Sequence, residues 1–208
     1  MNFVALVELR LQGVALSFAD GYTCLVKAEG FITEEYLADK IKNTTVGIGG
    51  SMTARQMNLF EILSAENDVN WHWQLKEGQS AAQAYAGARN AAVYISSVNG
   101  ISEKGEIINI DGTGNRVAET IYNHEKVYLL VGKNKIAPDF EKAMWRARNI
   151  ASPKNAQRIG VATPCAAKGD KCYDCSSPAK ICRAFLTFME KPNGCNCEVV
   201  LINEELGY

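Results

Sequence analysis

Strand-like and helix-like runs alternate along most of this chain, and that alternation limits the fold more than any other feature of the sequence. TCLVKA precedes TEEYLADKIK, TTVGIGG precedes TARQMNLFEILSA, and VNWHWQL precedes SAAQAYAGARNA. AVYISSV and KVYLLVG are further strand-like runs, and NRVAETIYN and DFEKAMWRARNIAS are further helix-like runs. This order favours an α/β domain in which a mainly parallel sheet is flanked by helices.

Length and charge narrow the class of protein. The chain has 208 residues, of which 47% are hydrophobic, so we predict a single domain over residues 1–208. A net charge of -1 provides no basic surface for nucleic acid. No run approaches the roughly 20 apolar residues of a membrane span, and the N-terminal run Phe3 to Leu11 contains Glu8 and Arg10 and lacks a basic leader. We expect a cytoplasmic protein, and the sequence leaves a homo-oligomer open.

A glycine-rich turn, VGIGGSMT, leads from a strand-like run into a helix-like run. Backbone amides and hydroxyls at the start of a helix suit a phosphate or a carboxylate. We therefore predict that an anionic ligand binds here, although neither the nucleotide P-loop nor the dinucleotide fingerprint is present. The alternative is a tight turn in which Ser51 caps the helix and no ligand binds. The candidate ligand-binding residues are Gly47, Gly49, Gly50, Ser51 and Thr53.

A second turn, NIDGTGNR, places a carboxylate, an amide, a hydroxyl and a guanidinium within eight positions. Open α/β sheets bind ligands at strand ends of this kind. Asp111 is the candidate general acid or base, Arg116 is the candidate clamp for a carboxylate or phosphate, and Gly112 and Asn115 are candidate ligand contacts. The alternative is that Asp111 and Asn115 only shape the turn and that Arg116 is solvated. His72, between two tryptophans, is interpreted as a packing residue.

Six of the seven cysteines lie in the C-terminal part of the chain, and residues 163–197 are interpreted as a Cys-rich appendage within the domain. Four thiolates are the number that a closed zinc site or an iron–sulfur cluster requires. Only one C-x-x-C pair is present, so free structural thiols and a regulatory dithiol remain alternatives. The candidate metal ligands, for an iron–sulfur cluster or zinc, are Cys165, Cys172, Cys175 and Cys182; Cys195 and Cys197 are secondary.

Several segments together resemble the lactate-utilization, or LUD, domain family. They are VGIGGSMT, SSVNGISEKGEIINIDGTGNRVA, VGKNKIAPDFEKAMWRARNIASPKNAQR, TPCAAKGDKCYDCSSPAKIC and VVLINEELGY, and they span most of residues 44–208 in order. The resemblance implies a fold similar to sugar-phosphate isomerases and coenzyme A transferases, with the first glycine turn as the ligand loop and NIDGTGNR as the opposing turn.

The same resemblance implies a role in oxidising lactate to pyruvate, as a subunit or accessory protein beside partner subunits that carry iron–sulfur clusters. Ferredoxin-type motifs are absent from this chain, so it is similar to the small subunit of such a system. Two alternatives stay open. One is a free-standing enzyme that acts on a sugar phosphate or an acyl thioester, and the other is a cysteine-based metal or redox module that regulates a partner.

Overall fold

A mainly parallel sheet forms the centre of the computed structural model, which describes residues 16–17, 23–26 and 33–208. Its strands run in the spatial order β1-β2-β11-β8-β5-β3-β4. In this spatial order, each described pair of neighbouring strands from β2 across the sheet to β4 is parallel, whereas β1 is antiparallel to β2. This arrangement confirms the predicted α/β class. The strands are β1 (Leu16–Ser17), β2 (Thr23–Val26), β3 (Thr45–Ile48), β4 (Asp68–Trp71), β5 (Val93–Ser97), β8 (Lys126–Gly132) and β11 (Cys197–Ile202).

A smaller sheet, which the sequence did not predict as a separate layer, has the order β10-β7-β6-β9. Its strands are β6 (Gly100–Ser102), β7 (Ile107–Asp111), β9 (Ile136–Ala137) and β10 (Ala184–Phe188). The predicted hairpin in EKGEIINID is the antiparallel pair of β6 and β7. The described helices are α1 (Thr33–Lys40), α2 (Met52–Gln56), α3 (Leu59–Ser64), α4 (Ala81–Arg89), α5 (Asn115–Glu119), α6 (Phe140–Arg146), α7 (Ser152–Ile159) and α8 (Pro164–Lys168).

Both faces of the large sheet are buried, and β8 shows how the sequence achieves this. Val127, Leu129 and Val131 pack on the side of α4 and the small sheet, whereas Tyr128 and Leu130 pack on the side of α1, α2 and α3. Alternating apolar residues therefore supply two cores from one strand, as expected for a parallel sheet with both faces covered. The other face of the small sheet packs on α6 through a third apolar cluster.

Two predicted helices have different bounds in the structure. The run TARQMNLFEILSA is divided into α2 and α3 because Asn58 takes a left-handed conformation with φ 49°. The helical segment that starts at α6 does not end near Pro153. It continues through a π-helical turn, Ala147–Ala151, into α7, where Pro153 is the second residue.

The C-terminal region belongs to both sheets. Residues 169–183 contain no helix or strand, whereas β10 pairs with β7, and β11 lies between β2 and β8 in the large sheet. Cys197 is the first residue of β11, Cys195 lies two residues before it, and both are buried. None of the described helices is both long enough and apolar enough to cross a membrane.

Candidate functional site

The two glycine-rich turns line the same cavity, which has a volume of about 230 Å³. The cavity lies at the carboxyl ends of the parallel strands. Ser51 follows β3, His72 follows β4, Ser97 ends β5, Lys135 follows β8, and Gly207 follows β11. Ligands of open α/β sheets bind at this end of the sheet. The volume is below the range of about 300–1,000 Å³ typical of drug-sized ligands, so it suits a small molecule.

The glycines of the first turn have different roles. A Cβ atom at Gly47 would lie 2.5 Å from the Ala88 carbonyl oxygen, and one at Gly49 would lie 2.8 Å from the Tyr94 hydroxyl. These two glycines allow close packing of β3 against α4 and β5, and neither lines the cavity. Gly50, Ser51 and Thr53 do line it.

Ser51 also has a structural role. Its Oγ accepts a hydrogen bond from the Ala54 amide at 3.1 Å, which makes it the N-cap of α2. This cap is the alternative that the sequence left open. The cap does not exclude a ligand at this turn, because it uses only the side-chain oxygen of Ser51.

Arg116 fastens the ends of two strands together. Its Nη1 donates to the Ser97 carbonyl at 3.0 Å and to Asn109 Oδ1 at 2.9 Å. Its Nη2 donates to Asn99 Oδ1 at 3.1 Å and to the Ile110 carbonyl at 2.7 Å. The four Nη protons of a guanidinium are thereby matched by four oxygen acceptors. Arg116 lines the cavity, but its main geometric role is to position β5 and β7.

Asp111 shapes the second turn. Its Oδ1 accepts from the amides of Thr113 and Gly114, both at 3.2 Å, and its Oδ2 accepts from the Val117 amide at 3.2 Å. The Nε atom of Arg116 lies 3.8 Å from the same Oδ2. These contacts are those of a turn and helix-capping carboxylate. Asp111, Gly112 and Asn115 all line the cavity, so a ligand contact is compatible with the turn geometry.

Lys135 is the most unusual charged group of the cavity. Its side chain is buried, with 2% exposure, and its Nζ donates to Thr53 Oγ1 at 2.8 Å and to Ser97 Oγ at 2.5 Å. The two hydroxyl oxygens lie 3.1 Å apart. No carboxylate among the described residues forms an ion pair with Lys135. A protonated amine has three N–H donors, so one remains available to a ligand.

The charge environment of Lys135 favours an incoming anion. Burial, together with the positive charges of Arg146 and Arg116, lowers the pKa of Lys135 from 10.5 to about 7. Burial also lowers the pKa of Arg146 to about 10. An anion beside Lys135 would offset both effects, since an opposite charge stabilises the protonated amine.

Aromatic side chains also line the cavity. The rings of His72 and Tyr85 are stacked with centroids 4.3 Å apart, and His72 also contacts Trp73 edge to face at 6.1 Å. Burial lowers the pKa of His72, while the negative charge of Asp111 acts in the opposite direction. The structure thus shows the predicted packing of His72 beside Trp73, and it also places His72, Trp73 and Tyr85 on the cavity wall.

Residues 206–208 lie next to Lys135, and Gly207 and Tyr208 line the cavity. The Leu206 amide donates to Asn134 Oδ1 at 3.2 Å, and the Gly207 amide donates to Gln56 Oε1 at 2.6 Å. Arg146 Nη1 donates to the main-chain oxygen of Tyr208 at 3.0 Å. Gly207 has φ +68°, and a Cβ atom there would lie 2.6 Å from Thr53 Oγ1, so glycine is needed for this path.

Sequence reasoning missed Lys135, Ser97 and the segment 206–208. Lys135 lies in VGKNKIAPDF, which contributed to the family resemblance, but a lone lysine after a strand is usually solvated. Its burial depends on β8, on Ser97 of β5 and on Thr53 of α2, which are far apart in the sequence.

The four predicted metal-ligand cysteines line a second cavity, of about 240 Å³. Ile110, Ser152 and Ile181 line both cavities, so the two are neighbours. Within residues 33–208, all six cysteines are free thiols. In the described part of the chain, no three Cys, His, Asp or Glu side chains are arranged to hold one metal ion.

Fold and cavity together define an α/β protein with a small, lysine-based cavity at the carboxyl ends of its parallel strands. Residues 27–202 match the model of the LUD domain, which is most of the chain, and the chain therefore belongs to the LUD domain family. The family takes its name from lactate utilization. No curated protein sequence matches the chain.

Solved structures that are similar to this chain include two at 12% sequence identity. One is a DUF162 family protein from Deinococcus radiodurans, with 12% identity and a TM-score of 0.47, covering 96% of this chain and 95% of that chain. The other is eIF2B beta from Chaetomium thermophilum, with 12% identity and a TM-score of 0.32, covering 67% of this chain and 44% of that chain.

Proposed function

We propose that this protein binds a small 2-hydroxy or 2-oxo monocarboxylate, of the lactate and pyruvate type, as a subunit or accessory protein of a system that oxidises lactate to pyruvate. One observation carries the proposal: the cavity contains a buried lysine whose only described hydrogen-bond partners are two hydroxyl oxygens. The membership of the LUD domain family supports the lactate connection.

The charge of the cavity supports a monoanion over a phosphate dianion. Lys135 supplies one positive charge when it is protonated. The second cation of the lining, Arg116, is already matched by four oxygen acceptors and lies beside the Asp111 carboxylate. One carboxylate would therefore balance the available charge, whereas a phosphate dianion would leave an excess negative charge in a buried site, which is costly.

The polar and apolar groups also match a 2-substituted carboxylate. Lys135 and the hydroxyls of Thr53 and Ser97 would hold the carboxylate, and Asn99 offers an amide for the oxygen on the second carbon. Trp73 and Tyr85 also line the cavity, and their rings suit a short aliphatic group.

Calorimetric titration of the full chain with lactate, pyruvate, a glucose phosphate and acetyl-coenzyme A tests the proposal at pH 6.5. We expect binding of lactate or pyruvate and a loss of affinity of about 10- to 100-fold in Lys135→Met, because a charged hydrogen bond is removed. Lys133→Met is the matched control, since Lys133 lies two positions away and is exposed. Tighter binding of the phosphate or the thioester would contradict the proposal and favour the free-standing enzyme.

The biological part of the proposal has its own test. Deletion of the gene should slow growth on lactate as carbon source, and a copy encoding Lys135→Met should not restore it, whereas one encoding Lys133→Met should. Unchanged growth on lactate would refute the assignment to lactate oxidation, even if a carboxylate binds in vitro.

A further inference from the structure

The second cavity brings together four thiols that are separated by up to 17 positions in the sequence. Cys165 lies in α8, Cys172 and Cys175 lie in the loop that follows it, and Cys182 directly precedes the residues leading into β10. All four are partly exposed, in contrast to Cys195 and Cys197, which are buried. Partial exposure leaves the thiols accessible to a metal, and the shared cavity provides the space between them.

The loop between the helix and the strand is built to hold two of these thiols in place. Asp174, between Cys172 and Cys175, has φ 48°, a conformation that turns the chain sharply. The Cys172 amide donates to Asn149 Oδ1 at 3.2 Å, which ties the loop to the π-helical turn. Cys165 is held in a similar way, since its Sγ lies 3.2 Å from the hydroxyl of Thr163, the N-cap of α8.

Donors and positive charge surround the sulfur atoms. The Cys172 Sγ accepts from the Asp174 amide at 3.4 Å and from Arg148 Nη2 at 3.9 Å, and Lys180 lines the same cavity. These groups would offset part of the negative charge that four thiolate ligands bring into the cavity.

The size of the cavity favours a cluster over a single ion. Four thiolates at about 2.3 Å from one zinc ion would lie about 3.8 Å from each other in a tetrahedron, which leaves no space between them for anything but the ion. The four thiols line one volume of about 240 Å³, and the described residues contain no group of three ligands arranged to hold a single metal ion. An inorganic core of several iron and sulfide ions fills a larger space and binds through four cysteine thiolates.

We propose that Cys165, Cys172, Cys175 and Cys182 bind an iron–sulfur cluster in this cavity, one thiolate to each ligand position. This assignment goes beyond the carboxylate site and does not depend on it. It selects the iron–sulfur cluster from the two metal groups, iron–sulfur or zinc, that the sequence left open for these four cysteines.

The test uses the full chain, purified without oxygen and reconstituted with ferrous iron and sulfide. We expect iron and acid-labile sulfide in equal amounts, about two or about four of each per chain. The protein should absorb broadly at about 400 nm, and dithionite should bleach this absorption. The reduced protein should give an electron paramagnetic resonance signal. Stoichiometric zinc without sulfide, or a colourless protein that retains no iron, would overturn the proposal.

Matched variants separate the cavity from the other thiols. The double variant Cys172→Ala and Cys175→Ala should lose most of the iron and sulfide, and Cys195→Ser should keep them, because Cys195 is buried and its Sγ donates to the Thr120 carbonyl instead. Far-ultraviolet circular dichroism and urea unfolding check that each variant folds. Equal iron content in a folded double variant and in Cys195→Ser would exclude these four cysteines as the ligands, whether or not a carboxylate binds in the first cavity.

Discussion

Replacement of Lys135 by methionine should change how the free energy of unfolding depends on pH. Methionine has a similar length and no charge, and the Thr53 and Ser97 hydroxyls, 3.1 Å apart, can still bond to each other. The pKa of Lys135 is about 7 in the folded chain against 10.5 for a free lysine. At 1.36 kcal/mol per pKa unit, that difference corresponds to about 5 kcal/mol by which burial and the charges of Arg146 and Arg116 together disfavour the charged form.

The direction of the effect follows from the protons that each state binds. Below about pH 7 the folded and unfolded states both carry the Lys135 proton, so the full cost applies. Between about pH 7 and 10.5 the folded state has released the proton while the unfolded state keeps it, and the stability of the unmodified chain rises with pH. From pH 6 to pH 9 this contribution amounts to about 3 kcal/mol.

Urea unfolding, followed by circular dichroism at pH 6 and pH 9 without ligand, measures the effect. Lys135→Met should be more stable than the unmodified chain at pH 6, and its advantage should shrink by about 3 kcal/mol at pH 9. Other titrating groups cancel because they are common to both proteins, and Lys133→Met should follow the unmodified chain. If the free energies of unfolding of Lys135→Met and the unmodified chain changed in parallel with pH, the conclusion that Lys135 is buried without an ionic partner would be refuted.

Three further predictions concern the same cavity and its frame. The affinity for pyruvate should fall about tenfold per pH unit above about pH 7, because the anion binds the protonated amine; calorimetry showing constant affinity up to pH 9 would contradict this. Arg116→Met should lower the unfolding free energy by about 3 kcal/mol or more, since it leaves four oxygen acceptors without their donor, and denaturation of the exposed-site control Arg55→Met should show little change. Gly47→Ala should lower the melting temperature because its Cβ would collide with the Ala88 carbonyl, whereas an unchanged melting temperature would mean that β3 and α4 can separate.

The sequence alone predicted the parallel α/β class because periodicity is local. The run KVYLLVG needs no partner to indicate a strand buried on both faces, and its two sets of apolar residues do pack into two cores. Similarly, the helix-like run DFEKAMWRARNIAS begins at Asp139, which is the N-cap of α6 and accepts a hydrogen bond from the Lys142 amide at 2.7 Å. The left-handed turn at Asn58 gave no comparable signal, and one predicted helix became two.

The cavity shows the limit of such reasoning. The turn VGIGGSMT was visible as a turn, but the sequence did not distinguish Gly47 and Gly49, which serve packing, from Gly50, which lines the cavity. In the same way Arg116 was visible as a guanidinium near a turn. That its four Nη protons go to oxygens from β5, β7 and the segment after β5 depends on how the two sheets meet.

By itself the sequence determined the order of strands and helices, the two turns and the four cysteines, because these depend on spacing along the chain. Only the tertiary structure decided that both turns open onto one cavity, that Lys135 lies buried between two hydroxyls, and that the four thiols line a second cavity beside it. The physical reason is that burial and charge pairing are sums over neighbours contributed by distant segments. A pKa of about 7 for Lys135 therefore arises from packing against β5 and α2 and from the charges of Arg146 and Arg116, all of which lie outside the segment VGKNKIAPDF.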